Sequence, residues 1–311
     1  MSLLILRKVF GSATLLFAFL TGSLGNAFVI YVFSHKKKQR THYERLVSLL
    51  AVCDLLTSLT LPLLNLYVLL SDYKEWHFGS TGCKLLPVFS YMSMTASQSI
   101  LLMITYERYV KIKDPLKNAG VGSRTMVAWV LGTLAVIIVS SVARAIGFHV
   151  KEYNDGTDRT RCTYDDPGFG IGVAYSSMVL WLVVLVTIVI LSCKSARYLQ
   201  RQREIVQFAS MIHRAARLRK SRRALIIVVA VFTLTTMPLS LLLCVLTTMK
   251  EVVSSDYSER ELLIIEGLNL YCQWLRTLSC AANVLIYSKM FFKEFKTHFK
   301  ALLCRQKQQQ A

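Results

Sequence analysis

The sequence predicts an all-α protein: a bundle of seven membrane-spanning helices followed by a short amphipathic helix on the membrane surface. Three observations carry that prediction. The 311 residues are 54% hydrophobic and only 18% charged, with a mean hydropathy of +0.45, where a soluble chain holds about a quarter charged residues. The apolar residues fall in long blocks separated by short charged loops, the pattern of a polytopic helical membrane protein. One block, from Cys83 to Arg108, would extend about 38 Å as a helix. That exceeds the roughly 30 Å hydrocarbon core of a bilayer, so one helix can hold a cysteine at one membrane face and an acid–arginine pair at the other.

The same composition excludes other classes. A net charge of +19 is compatible with nucleic acid, but a base-stacking surface does not come in blocks too apolar for water. The charge is read as loop bias that sets topology. The eight cysteines show no CxxC or Cys/His metal spacing. An enzyme is not expected: GxSxG, HExxH and phosphate-loop patterns are absent, and the histidines lie in loops or at their edges.

Residues 12–34 form the first span. Arg7-Lys8 and the small residues of 22–27 resemble a signal peptide, but the apolar run continues to Phe33 and stops only at His35-Lys36-Lys37-Lys38, so a retained helix is predicted. Further spans are predicted at 46–70, 83–112, 126–146, 171–198, 224–249 and 262–287, giving one seven-span domain over residues 1–311. Basic residues crowd the segments after spans one, three and five, whereas most loop acids, such as Asp155, Asp165, Asp256 and Glu259, lie in the other loops. The positive-inside rule then predicts an extracellular N-terminus and a cytoplasmic C-terminus in a multi-pass plasma-membrane protein. Over about 289–303, Phe291, Phe292, Phe295, Phe299 and Leu302 share one helical side and Lys293, Lys296 and Lys300 the other, as in a helix lying on the inner leaflet. Cys304, just beyond, is a candidate for lipidation or an ordinary surface thiol.

Taken together, the motifs of these spans resemble the rhodopsin-like (class A) G-protein-coupled receptors. Helix one carries Gly25-Asn26, and helix two carries Leu50-Ala51-Val52-Cys53-Asp54 with Pro62 beyond. Trp76-His77-Phe78-Gly79 precedes Cys83, and helix three ends in Glu107-Arg108-Tyr109 with Pro115-Leu116 following. Trp129 stands in helix four, Phe232 and Pro238 in helix six, and Asn283-Val284-Leu285-Ile286-Tyr287 replaces NPxxY in helix seven. Each motif alone is weak; their order and spacing are specific.

The resemblance implies roles for particular residues, and each has a physical reading. A disulfide between Cys83 and Cys162 would tie the second outer loop to helix three, the alternative being two free thiols. Asp54 is an acid inside an apolar run, costly unless paired or hydrated. With Ser97, Ser279 and Asn283 it matches the family's sodium pocket, all oxygen-bearing and suited to a hard cation; the alternative is a protonated, hydrogen-bonded acid. Glu107, Arg108, Tyr109, Pro115, Leu116 and Tyr287 match the G-protein-coupling face, with Arg108 paired to Glu107 at rest or simply snorkelling at a helix end.

Arg276 is the most individual feature. Two turns before Asn283, it shares the inward face of helix seven, where an arginine usually marks a ligand path. Its fork suits a carboxylate, phosphate or sulfate, so an anionic ligand group meeting Arg276 and Gln273 is expected, against a pairing with an internal acid or with carbonyls. Ser90, Tyr91 and Thr277 complete the expected ligand-binding set. Ser90 stands where amine receptors carry aspartate, and Thr277 where opsins carry the retinal lysine, which argues against both ligand classes.

Three departures from the family pattern stand out. Thr236 replaces the helix-six tryptophan, Val284 replaces the helix-seven proline, and 171–198 holds no proline and no tyrosine in its inner half, Tyr198 coming too late. These belong to the family's moving parts. The expected function is a receptor that binds an extracellular peptide, or a small acidic or lipid ligand, within the bundle and activates heterotrimeric G proteins through movement of helix six. A non-signalling scavenger or decoy is the alternative. A transporter fits less well, since no internal repeat is present and Asp54 is the clear mid-span acid. No resident cofactor is expected beyond a modulating sodium ion.

Overall fold

The computed structural model describes residues 3–35, 41–71, 76–113, 121–153, 159–205 and 259–290, together with residues 223, 226–227, 229–231, 233–238, 240–242 and 244–246. The expected amphipathic helix and Cys304 lie outside the described residues, as do Pro115, Leu116, Phe232 and the Tyr287 side chain.

The helices are α1 (Leu3–Ser34), α2 (His42–Leu70), α3 (Gly79–Lys113), α4 (Ser123–Gly147), α5 (Pro167–Ile205), α6 (Val229–Leu246) and α7 (Glu259–Met290). Among the described residues, α1 to α6 are long and apolar enough to cross a membrane. The 32 residues of α7 are also long enough, at about 48 Å. Large apolar side chains such as Phe10, Leu24, Val139, Ile146 and Val183 face outward, an arrangement that suits lipid and not water.

The helix starts have local causes. At α2 the Thr41 hydroxyl accepts the Glu44 amide at 3.3 Å, and the Glu44 carboxylate accepts the Thr41 amide at 2.9 Å, a capping box that satisfies two otherwise orphaned donors. At the start of α3, the backbone of Gly79 takes φ +60°, a conformation glycine adopts without steric cost. The turn lets the Trp76 indole donate to the Gly79 carbonyl at 2.8 Å.

Helix α3 is the hub, packed against α2, α4 and α5, while α7 packs against α1 and α2. The core lies in the inner halves of α1, α2 and α3, where Phe33, Val47, Leu50, Leu101 and Ile104 interdigitate. Gly25 permits the close approach of α1 and α7: a Cβ there would lie 3.0 Å from the Val284 side chain.

One element departs from the all-α expectation. Residues Phe148–Tyr153 (β1) and Arg159–Tyr164 (β2) form an antiparallel hairpin between α4 and α5, with Val150 opposite Cys162. The polar segment between two spans needs partners for its backbone groups, and an outer strand pair supplies them.

Candidate functional site

The hairpin packs against α3 and α5. Cys83 and Cys162 are joined, with Cα atoms 5.4 Å apart, so β2 is fastened to the first turns of α3. The Thr160 hydroxyl of β2 accepts the Trp76 amide at 3.0 Å. Trp76, Phe78 and Tyr67 pack as a small aromatic group, with ring centres 4.7 to 6.1 Å apart. Tyr164 stacks on Phe148 at 4.3 Å, and burial pushes its phenol above the ordinary tyrosine range.

Two arginines stand within the helices of the bundle, Arg144 buried and Arg276 half-buried. The Arg144 guanidinium of α4 lies 3.2 Å from the centre of the Tyr91 ring. It donates to the Ser140 carbonyl at 3.2 Å and to the Ser177 hydroxyl of α5. Among the described residues Arg276 of α7 reaches the Met94 sulfur of α3, at 3.8 Å, and its Nε has no partner. Among the described residues neither arginine forms an ion pair with a carboxylate. Gln273, one turn outward of Arg276, also has an unpartnered buried carbonyl oxygen.

The other expected ligand residues behave differently. Tyr91 is half-buried, with one ring face against Arg144. The Ser90 hydroxyl donates to Leu86 at 3.3 Å and the Thr277 hydroxyl to Gln273 at 3.0 Å. Both are buried and turned to their own helix backbones.

At mid-depth, Asp54 is 3% exposed and joins three helices. It accepts from the Ser97 hydroxyl at 3.1 Å and from the Asn283 amide at 2.9 Å. The Ser279 hydroxyl donates to the Arg276 carbonyl at 2.7 Å and not to Asp54. The side-chain oxygens of Asn283 and Asn26 are buried and unpartnered. The donor set is oxygen throughout, which fits a hard monovalent cation better than a transition metal. Among the described residues no group of three or more His, Cys, Asp or Glu side chains could hold a metal.

At the inner end, the resting pair expected between Arg108 and Glu107 does not form. Glu107 is fully buried and its carboxylate meets Lys111 at 2.6 Å. Adjacent helical residues point about 100° apart, whereas i and i+4 share a face. Arg108 instead stacks on Tyr43, its guanidinium carbon 3.4 Å from the ring centre. Tyr109 meets Tyr198 edge-on at 6.0 Å, so α5 does bring a tyrosine to the inner end.

Arg144, Tyr43, Lys111 and Tyr198 were not among the expected site residues. Two had readable signals: Arg144 interrupts an apolar run as Arg276 does, and Glu107–Lys111 is an i,i+4 pair. The stack on Tyr43 joins distant segments and has no such signal.

This geometry is that of a seven-helix receptor, and the comparisons agree. The sequence model for the 7 transmembrane receptor (rhodopsin family) matches residues 25–287. The chain belongs to that family; it is a multi-pass plasma-membrane receptor and not an enzyme. It is 30% identical to a melanopsin of Phodopus sungorus over 71% of this chain and 49% of that protein. Against melanopsin of Homo sapiens the identity is 32% over 56% of this chain and 36% of that protein. Against the tachykinin-like peptides receptor 86C of Drosophila melanogaster it is 25% over 90% of this chain and 56% of that protein. The chain thus spans from about a third to a little over half the length of these relatives.

Proposed function

We propose that the chain is a receptor for an extracellular peptide whose anionic group meets Arg276, with the N-terminus outside and the C-terminus in the cytoplasm. The observation that carries this reading is Arg276 itself. It is an arginine inside a span that, among the described residues, donates to a thioether, a weak acceptor, and whose Nε is unpartnered. Such a cation is costly unless something completes it. Ligand binding shifts the population towards a state with α6 swung outward. In that state Arg108 leaves Tyr43 and, with Tyr109, Tyr287 and the segment holding Pro115 and Leu116, meets a heterotrimeric G protein. Asp54, Ser97 and Asn283, with Ser279 beside them, would hold a sodium ion that favours the resting arrangement.

The peptide preference draws on the relative named as a receptor for tachykinin-like peptides. A small acid or lipid is the second ligand class. The likeness to melanopsins does not carry a retinal over, because Thr277 occupies the position of the retinal lysine. A decoy receptor that binds without signalling is favoured by one observation: Thr236, standing for the helix-six tryptophan, is buried with an unpartnered hydroxyl.

The test is G-protein activation in cells expressing the whole chain or its Arg108→Ala variant at matched surface levels. It is run first without addition and then with pooled peptides and pooled lipids. A response present in the parent and lost in the variant is expected. Full surface expression with no response to any pool would overturn signalling in favour of the decoy.

A further inference from the structure

We infer that the outer half of the α2–α7 seam is a subsite for the carboxyl-terminal end of a peptide, with the terminal carboxylate on Arg276 and the preceding amides on Asn65, Gln273 and Asn269. This deepens the reading above and rests on it.

The residues form two facing stripes. On α7, Asn269, Gln273, Arg276, Cys280 and Asn283 recur at spacings of four, three, four and three, so they share one face. On α2, Asp54, Ser58 and Asn65 recur at four and seven. Asn283 bonds Asp54 at 2.9 Å, and the Leu69 and Leu270 side chains would both lie 2.7 Å from a Cβ at Gly11. These two contacts fix the antiparallel register. Four residues inward from Leu69 is Asn65, and three inward from Leu270 is Gln273, so these two amides lie at about the same depth.

In the inner part of the seam the Asn283 amide nitrogen is matched by Asp54 and the Asn283 carbonyl oxygen is left over; the outer part has more left over. The Asn65 amide nitrogen, the Asn269 and Gln273 carbonyl oxygens and the Arg276 Nε are all buried without a partner. Asn65 and Gln273, donor and acceptor at one depth, do not bond each other. Unpartnered polar atoms are rare in folded proteins and costly in a membrane interior.

The pattern of these groups selects the ligand. A carboxylate completes the guanidinium. The remaining groups ask for a ligand that offers both N–H donors and C=O acceptors, as a peptide backbone does. From Asn269 to Arg276 the stripe rises about 10 Å, the length of roughly three extended residues at about 3.3 Å each. A fatty acid would complete Arg276 and leave Asn65, Asn269 and Gln273 as they are.

The experiment uses the full chain in cells with a G-protein sensor. Three probe sets are compared: a combinatorial pentapeptide library with free carboxyl ends, the same library carboxyl-amidated, and a panel of unbranched fatty acids. Free-acid pools are expected to activate, and amidation to weaken them about 100-fold, the range for breaking a desolvated charge pair. Arg276→Gln should erase the difference between acid and amide. Asn65→Leu and Gln273→Leu should each weaken the free acids about tenfold, measured at matched surface levels. Amides as potent as acids, activation by fatty acids alone, or silence of every peptide pool would overturn the subsite. The unstimulated signal, compared with Arg108→Ala, reports separately on the receptor reading, so the two can fail independently.

Discussion

Arg144 and Arg276 are the same residue type, both set within helices of the bundle, and they do opposite things. Arg144 is fully engaged: a ring face, a carbonyl and a hydroxyl from three helices surround its guanidinium. Arg276 has one sulfur. The difference teaches that the presence of a buried charge does not mark a ligand site; the incompleteness of its shell does. An arginine whose donors are already matched is a clamp, and adding a ligand gains nothing there. An unmatched one is held in place by its helix at a standing cost that a ligand can remove.

The largest effect follows from removing the unmatched charge. Arg276→Gln should abolish activation by any ligand that carries an anionic group, a loss of about 100-fold or more in potency, while surface expression stays at the parent level. Potency measured against a cell-surface label checks both. Unchanged potency would place Arg276 with Arg144 as a structural residue and dissolve the comparison.

The next effect comes from completing the unmatched arginine from within. Met94 lies 3.8 Å from its guanidinium, so Met94→Glu would supply an internal carboxylate. The receptor should then fold and reach the surface, but ligand potency should fall about 30-fold, since the ligand must compete with a resident partner. Dose–response curves for Met94→Glu beside Met94→Gln, which keeps the volume without the charge, isolate the electrostatic part. Equal curves would show that Arg276 never seeks an anion.

The clamp should respond in the other currency. Arg144→Met keeps much of the volume and removes the charge, the stack on Tyr91 and the bond to Ser177. Stability should fall by about 1–3 kcal/mol, seen as a midpoint lowered by about 2–6 °C in thermal unfolding of the purified receptor. Any preference for free acids over amides should persist. A lost preference with unchanged stability would reverse the roles of the two arginines.

How far these features were legible varies with the range of the interaction. The spans were readable because the bilayer imposes one local demand, an apolar run of fixed length, on α1 to α6. Asp54, Ser97 and Asn283 were readable because an acid among apolar residues needs partners, and the motif order named them. Arg276 was readable by its distance from either end of its span. Arg144 was readable as a break in an apolar run but not as a buried clamp, because it sits in the last turn of α4, where arginines commonly snorkel to the interface. The hairpin was not readable either. Its alternation is short, and its stability comes from cross-strand pairing and the Cys83–Cys162 bond, both non-local.

Arg108 is the intermediate case and gives the smallest effect. Its face is covered by Tyr43 while its Nε is unpartnered and buried, so it is partly matched and free to leave. The stack is worth about 1 kcal/mol, which corresponds to about fivefold in the balance between resting and active states. Tyr43→Leu should therefore raise unstimulated signalling about fivefold, whereas Tyr43→Phe, which keeps the ring, should leave it near the parent level. Signal measured without ligand at matched surface levels distinguishes them. If both variants behave alike, the Tyr43 hydroxyl and not the ring face restrains Arg108. A graded result would order the three arginines by a single property: how much of each guanidinium the folded chain itself completes.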